Sequence, residues 1–222
     1  MKPGYRDKLI MHAFYPSKVP MYNPTAMRTL LFYACLFELS DMGRLRIEDN
    51  RIICGEAETG DEVLDKVIGL ISPLSGKKAG RLQMLVSQKA GSVFKTHLGQ
   101  MTSRMLIEAE DIKFLFWSFG KNYRVIKYDL LKPSVKAMER SLVYGREPDR
   151  ESWLTILLVG EAGLFRNIFS VREFRQRAKN RFSELLGSEL HEGDTISVLY
   201  KNLRKTLASQ KAARQTSKKL FT

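Results

Sequence analysis

The segment from Asn23 to Gly43 constrains this chain more than any other. Asn23-Pro24 is a helix start, since asparagine caps orphan amides and proline suits the first helical position. Beyond it Met27, Leu30, Leu31, Ala34, Cys35, Glu38, Leu39 and Met42 recur at helical spacing. Gly43 supplies the stop. Within this helix lies the longest uninterrupted apolar run of the chain, Leu30–Phe37, closed by Glu38. The run is far shorter than the ~18–20 residues that cross a bilayer. With 222 residues, 44% hydrophobic and 27% charged, the chain can bury a core and reads as soluble and globular. Glu38 sits on the apolar stripe, where a buried carboxylate needs a partner. Arg44 or Arg46, just beyond the helix, is the candidate.

The remaining periodicities are mostly helical. Residues 1–22 hold Pro3, Pro16 and Pro20 without a sustained period and read as an irregular arm. They also lack the apolar stretch of a signal peptide. Leu45–Glu48 and Arg51–Cys54 alternate around Asp49-Asn50 as a short hairpin. Asp61 caps an amphipathic helix carrying Val63, Leu64, Val67, Ile68 and Ile71. After a loop at 72–80, helices are expected over 81–89 and 92–103, split at Gly91. A hairpin follows over 112–128, turning at Gly120-Lys121-Asn122. Further helices are expected near 133–144, 150–161, 171–186 and 194–208. The expected fold class is mainly α: a single-domain helical bundle with one or two short β-hairpins. The expected organisation is an N-terminal arm (1–22), a helical domain (23–208) and a basic C-terminal tail (209–222).

Charge is the strongest compositional signal. Thirty-seven Lys and Arg against 24 Asp and Glu give a formal net charge of +13. Two stretches contain no acid and seven basic residues each. One runs from Thr195 to the C-terminus, with Lys201, Arg204, Lys205, Lys211, Arg214, Lys218 and Lys219. The other runs from Lys66 to Ile107, with Lys66, Lys77, Lys78, Arg81, Lys89, Lys95 and Arg104. Such blocks attract polyanions, either nucleic acid or an anionic membrane surface.

Signs of catalysis are missing from the sequence. His12, His97 and His191 stand far apart, outside any metal-ligand spacing, and read as surface or packing residues. Cys35 lies on an apolar helix face and reads as a core thiol. Two cysteines, Cys35 and Cys54, make no disulfide framework, which points to a reducing, intracellular setting. Gly69…Gly76-Lys77-Lys78 fails as a phosphate loop: its glycines are too far apart, and Lys78 stands where a magnesium-binding hydroxyl belongs. Glu108, Glu110 and Asp111 beside a turn read as solvated charges. No cofactor or metal site is expected.

An ordered set of motifs resembles one family. Leu36-Phe37-Glu38-Leu39-Ser40-Asp41-Met42-Gly43-Arg44-Leu45 is followed by Arg51-Ile52-Ile53-Cys54 and then Thr59-Gly60-Asp61-Glu62-Val63-Leu64-Asp65. Met105-Leu106-Ile107 before a hairpin and Pro148-Asp149-Arg150 opening a helix complete the set. Over roughly residues 24–186 this order resembles the Golgi phosphoprotein 3 family. The resemblance implies a mostly helical domain around a central helical bundle. It implies a non-enzymatic peripheral membrane protein that recognises phosphatidylinositol 4-phosphate on the cytosolic face, whose eukaryotic members retain glycosyltransferases at the Golgi. The family's head-group site uses a Trp and an Arg ahead of the Glu-Leu segment and two basic residues on a later helix. An ungapped alignment puts Asn23 and Phe32 at the first two positions, and Ala90 and Val93 at the later pair.

The leading expectation is a cytoplasmic adaptor, peripheral to the membrane, that binds anionic lipid head groups. Its candidate contacts are Arg28, Lys77, Lys78, Arg81, Lys89 and Lys95. Each cation held near an anionic bilayer contributes about 1 kcal/mol. Cytosolic tails of membrane proteins are candidate partners. The aromatic 112–128 hairpin, with Phe114, Leu115, Phe116, Trp117 and Phe119, is a candidate membrane wedge or homo-oligomer contact. The alternative is nucleic-acid binding through winged-helix-like units, since helix-then-hairpin occurs twice. No helix clusters the Arg, Asn and Gln that read base edges, which ranks nucleic acid lower.

Overall fold

The computed structural model describes residues 3–15, 23–56, 58–114, 117–188, 190 and 193–220. The side chains of 112–120 and 217–220 lie outside that description, as does His191. Among the described residues the chain is mainly helical, with two two-stranded antiparallel hairpins. Its contacts divide into two compact units, Asn23–Phe94 with Ser188–Thr222, and Met1–Tyr22 with Lys95–Gly187.

The first of these units is built around helix α2, Pro24–Asp41. Asn23 caps it, its Oδ1 accepting from the amides of Thr25 (3.0 Å) and Ala26 (3.3 Å). Every residue from Thr29 to Leu39 is buried. The helix ends where the Arg44 amide donates to the Leu39 carbonyl (2.8 Å), with Gly43 at φ +69°. Strands β1 (Leu45–Glu48) and β2 (Arg51–Cys54) form the expected hairpin. Its turn residues Asp49 and Asn50 both take positive φ, as a tight two-residue turn requires. Helix α3, Glu62–Ile71, is capped by Asp61, and helix α4 runs Arg81–Ser103.

Helix α9, Thr195–Leu220, packs along α2. Tyr33 and Thr206 hydroxyls share a hydrogen bond (3.3 Å), and Gln210 Nε2 donates to Thr29 Oγ1 (2.8 Å). The Gln210 contact lies beyond 208, the end expected from periodicity, and shows why the helix continues. Arg44 pairs with Glu56 (3.3 Å) and Arg46 with Glu48 (3.6 Å), rather than with the buried Glu38.

The other unit corrects the reading of the N-terminal arm. Tyr5–Phe14 form helix α1, with Pro3 before it and the Asp7 carboxylate accepting from the Gly4 amide (3.2 Å) at its start. All residues from Arg6 to Phe14 are buried, so no polar face marks a helical period. Helix α6, Arg150–Glu161, is likewise buried from Trp153 to Val159; Asp149 caps it, accepting from the Ser152 amide (2.7 Å). Helices α5 (Lys132–Leu142), α7 (Phe165–Ile168) and α8 (Arg172–Ser188) complete the helical part. Strands β3 (Ile107–Phe114) and β4 (Trp117–Val125) pair with a register irregularity between Ile112 and Lys113. Gly120 therefore sits inside β4 opposite Ile112, not in the turn expected at 120–122. The split expected at Gly91 is also absent. Gly91 keeps negative φ within continuous α4, because buried Ala90 and Val93 hold the helix through it.

Candidate anionic-lipid interface

Three of the six expected contact residues are brought together by backbone pairing in the unit built on α2. The loop before α4 lies along the free edge of β2. The Ile52 amide donates to the Lys77 carbonyl (2.9 Å), the Gly76 amide to the Ile52 carbonyl (2.7 Å), and the Ala79 amide to the Asn50 carbonyl (2.8 Å). Lys78 forms a bridge with Arg51, and the Arg81 amide donates to the Lys78 carbonyl (3.0 Å). Lys77, Lys78 and Arg81 are all exposed along this rail.

Pairing adds a fourth cation that the sequence reading passed over. Arg51 is exposed on β2, and its Nη1 donates to the Gly76 carbonyl (2.8 Å), tying guanidinium and loop together. The missed signal is the hairpin: a cation right after the Asp49-Asn50 turn sits on whichever edge the next segment joins. None of the four forms an ion pair among the described residues. Glu48 lies opposite Arg51 in the β1–β2 ladder and pairs with Arg46 (3.6 Å), so one carboxylate stands beside these cations; their positive excess attracts anions to that surface.

The other expected residues are more dispersed. Lys89 is exposed on α4 eight residues beyond Arg81, about 12 Å along the helix axis. Arg28 is exposed near the start of α2, and Lys95 is exposed where α4 enters the other unit. No hydrogen bond or ion pair among the described residues links either to the loop. Arg104, from the same acid-free stretch, is turned to structural use: its Nη1 and Nη2 donate to the buried Asp7 carboxylate (3.2 and 2.9 Å). The hairpin aromatics Phe114, Trp117 and Phe119 belong to the side chains outside the description, and Leu115 and Phe116 lie outside the described residues.

His12 and His97 do packing work. His12 Nε2 and Ser134 Oγ lie 3.1 Å apart in a buried contact. Burial, with the nearby Lys8 charge, pushes the His12 imidazole down to about 3. His97 is fully buried, with Nε2 3.5 Å from Asp7 Oδ1. Cys35 is buried as expected, and partial burial raises the Cys54 thiol. Among the described residues no cluster of His, Cys, Asp or Glu could hold a metal ion, and no helix is long and apolar enough to cross a membrane.

The sequence model of the family described as Golgi phosphoprotein 3 (GPP34) matches residues 17–218. The chain belongs to the Golgi phosphoprotein 3 family. No curated protein matches it. The motifs that carry this membership build the fold. Thr59 donates through its amide (2.7 Å) and hydroxyl (2.6 Å) to Asp65 Oδ1, locking the Thr-Gly-Asp loop onto α3. Asp61 and Asp149 are helix caps, and the Arg44 carbonyl accepts from the Gly55 amide (2.8 Å). At the four positions aligned with the family's head-group site, Asn23 is the cap of α2, and Phe32, Ala90 and Val93 are buried. None of the four carries a positive charge.

Proposed function

We propose that this protein is a non-enzymatic peripheral membrane adaptor that binds anionic lipid head groups, with phosphatidylinositol 4-phosphate the lipid its family points to. Lys77, Lys78 and Arg81, joined by Arg51, form the contact; Lys89 extends it, and Arg28 and Lys95 add longer-range attraction. The observation that supports the reading is that backbone pairing of β2 with the loop before α4 gathers exposed Arg51, Lys77, Lys78 and Arg81, four cations with Glu48 opposite Arg51. At about 1 kcal/mol each near an anionic bilayer, they give roughly 4 kcal/mol of attachment, screened as salt rises. The family domain spans residues 17–218, and the chain from 209 onward adds further positive charge. The protein works from the cytosolic face, where cytosolic tails of membrane proteins are its protein partners.

Vesicle co-sedimentation tests this. Phosphatidylcholine vesicles with phosphatidylinositol 4-phosphate or phosphatidylserine should pellet the protein at low salt, and pure phosphatidylcholine should not. K77E/K78E/R81E should weaken partitioning at least a hundredfold, since three lost cations alone remove about 3 kcal/mol. Equal binding to neutral and anionic vesicles, an unaffected triple variant, or a defined complex with random duplex DNA in place of vesicle binding would defeat the proposal.

A further inference from the structure

A second concentration of positive charge lies in the unit that contains α6 and α8, and it surrounds a cavity. The cavity has a volume of about 610 Å³ and is lined by Gly160, Gly163, Phe165, Arg166, Arg175, Lys179, Phe182 and Ser183. That volume falls within the range of small-molecule sites. Its lining carries three cations and no carboxylate. Arg175, Lys179, Phe182 and Ser183 follow one another at helical spacing, so one face of α8 supplies half the wall.

The apolar part is fixed by close packing. A Cβ at Gly160 would lie 2.6 Å from the Phe182 ring, so that ring rests on bare backbone of α6. Phe165 meets Phe182 edge-on, centroids 5.6 Å apart at 80°. The cations are not spent elsewhere. Arg177 pairs with Glu173, and Arg181 with Glu147 and Glu184; neither lines the cavity. Arg166, Arg175 and Lys179 have no ion pair among the described residues. Arg175 is held in place: its Nη1 donates to the carbonyls of Phe169 (3.3 Å) and Ser170 (3.0 Å), leaving other guanidinium donors available.

We infer that this cavity is a binding site for a phosphate ester with an apolar body. The phosphate sits among Arg166, Arg175 and Lys179, and the apolar portion covers Phe165 and Phe182. Three cations without a lining acid suit a doubly charged phosphate, and guanidinium forks match its oxygens. An inorganic anion would leave the aromatic surface uncovered. The same chemistry is offered by a phospholipid head group or by a soluble ester. The site is independent of the Lys77–Arg81 loop.

Titration calorimetry of the full chain at low salt, with phenyl phosphate, phenol and inorganic phosphate, decides it. Phenyl phosphate should bind saturably at one site and more tightly than inorganic phosphate. R166A/K179A should weaken it by about tenfold or more, each lost cation removing a charge-assisted hydrogen bond. Both side chains are exposed, so the fold should survive, as a circular dichroism melt will verify. K77E/K78E should leave the affinity within about twofold, which separates this site from the lipid-binding loop. Phosphatidic acid vesicles then name the source. Loss of binding in R166A/K179A added to the K77E/K78E background assigns a lipid, and indifference assigns a soluble ester. No saturation by about 10 mM phenyl phosphate, equal affinity for phenol, or full affinity in R166A/K179A would overturn the inference.

Discussion

Replacing Arg104 by methionine strands a carboxylate. Asp7 is 3% exposed at its side chain and takes two hydrogen bonds from Arg104, at 2.9 and 3.2 Å, besides one from the Gly4 amide. Arg104 itself keeps 18% exposure. The two halves of the pair are therefore unequal. Removing the arginine leaves a buried charge with the Gly4 amide and His97, 3.5 Å away, beside it, at a cost of about 3–5 kcal/mol. Removing the acid by D7N leaves a guanidinium that can still reach water, and should cost less. For a chain of this size each kcal/mol lowers the melting temperature by about 2–4 °C, so R104M should lose about 6–20 °C. D7N/R104M should be more stable than the sum of the single changes allows, with a coupling of at least about 1.5 kcal/mol. Circular dichroism melts and urea titrations of the four proteins measure this. An R104M cost under about 1 kcal/mol, or additive single variants, would refute the claim that this cation is structural. The folded fraction of R104M should pellet with anionic vesicles as the parent does.

Three further outcomes are expected. His12, held at about 3 in the fold against 6.5 when unfolded, binds a proton only on unfolding over that window; its stability contribution is complete above pH 6.5 and falls as pH drops toward 3. The slope is about 1.4 kcal/mol per pH unit, and H12N should show a flatter decline between pH 6 and 4 than the parent in urea titrations. Gly91→Ala should raise stability by about 0.5–1 kcal/mol, because Gly91 is exposed, helical and has open space at its Cβ, whereas Gly160→Ala should lower it because its Cβ meets the Phe182 ring at 2.6 Å. Asp61→Ala should cost about 1 kcal/mol by leaving the Val63 and Leu64 amides uncapped, again read by thermal melts.

Sequence alone carried the elements whose boundaries are chemical. Asn23-Pro24, Gly43, Asp49-Asn50, Asp61 and Asp149 each perform the cap or turn that their side chains or backbone freedom suggest. It failed where burial removes the pattern. Helix α1 is enclosed on every side and shows no amphipathic period, and α4 passes through Gly91 because its flanking side chains are anchored. The hairpin turn went astray because Gly120-Lys121-Asn122 has turn composition, yet the longer ladder of Ile107–Phe114 with Trp117–Val125 absorbs it. At the candidate interface Lys77, Lys78 and Arg81 were legible as an acid-free run. Arg51 was not, since its place depends on a bridge between segments 27 residues apart. Arg166, Arg175 and Lys179 were hidden because Glu173 interrupts the run, although Arg177 takes that acid for itself.

The division of labour among these residues bears on how such a protein can change its ligand while keeping its fold. The motifs by which the sequence resembles the Golgi phosphoprotein 3 family include caps, turns and a loop lock, contacts whose loss costs stability whatever the chain binds. Of the four aligned head-group positions, Asn23 shares that duty as the cap of α2. Phe32, Ala90 and Val93 fill the interior of the unit, where a charge would need a partner that apolar neighbours do not supply. In the functions proposed above, anion binding falls instead to surfaces where cations stay solvated until a ligand arrives. The β2 edge meets that condition with four cations on exposed backbone rails, and the α8 cavity meets it with three cations above an aromatic floor. The first is open and suits a planar membrane surface. The second is concave and suits a single molecule.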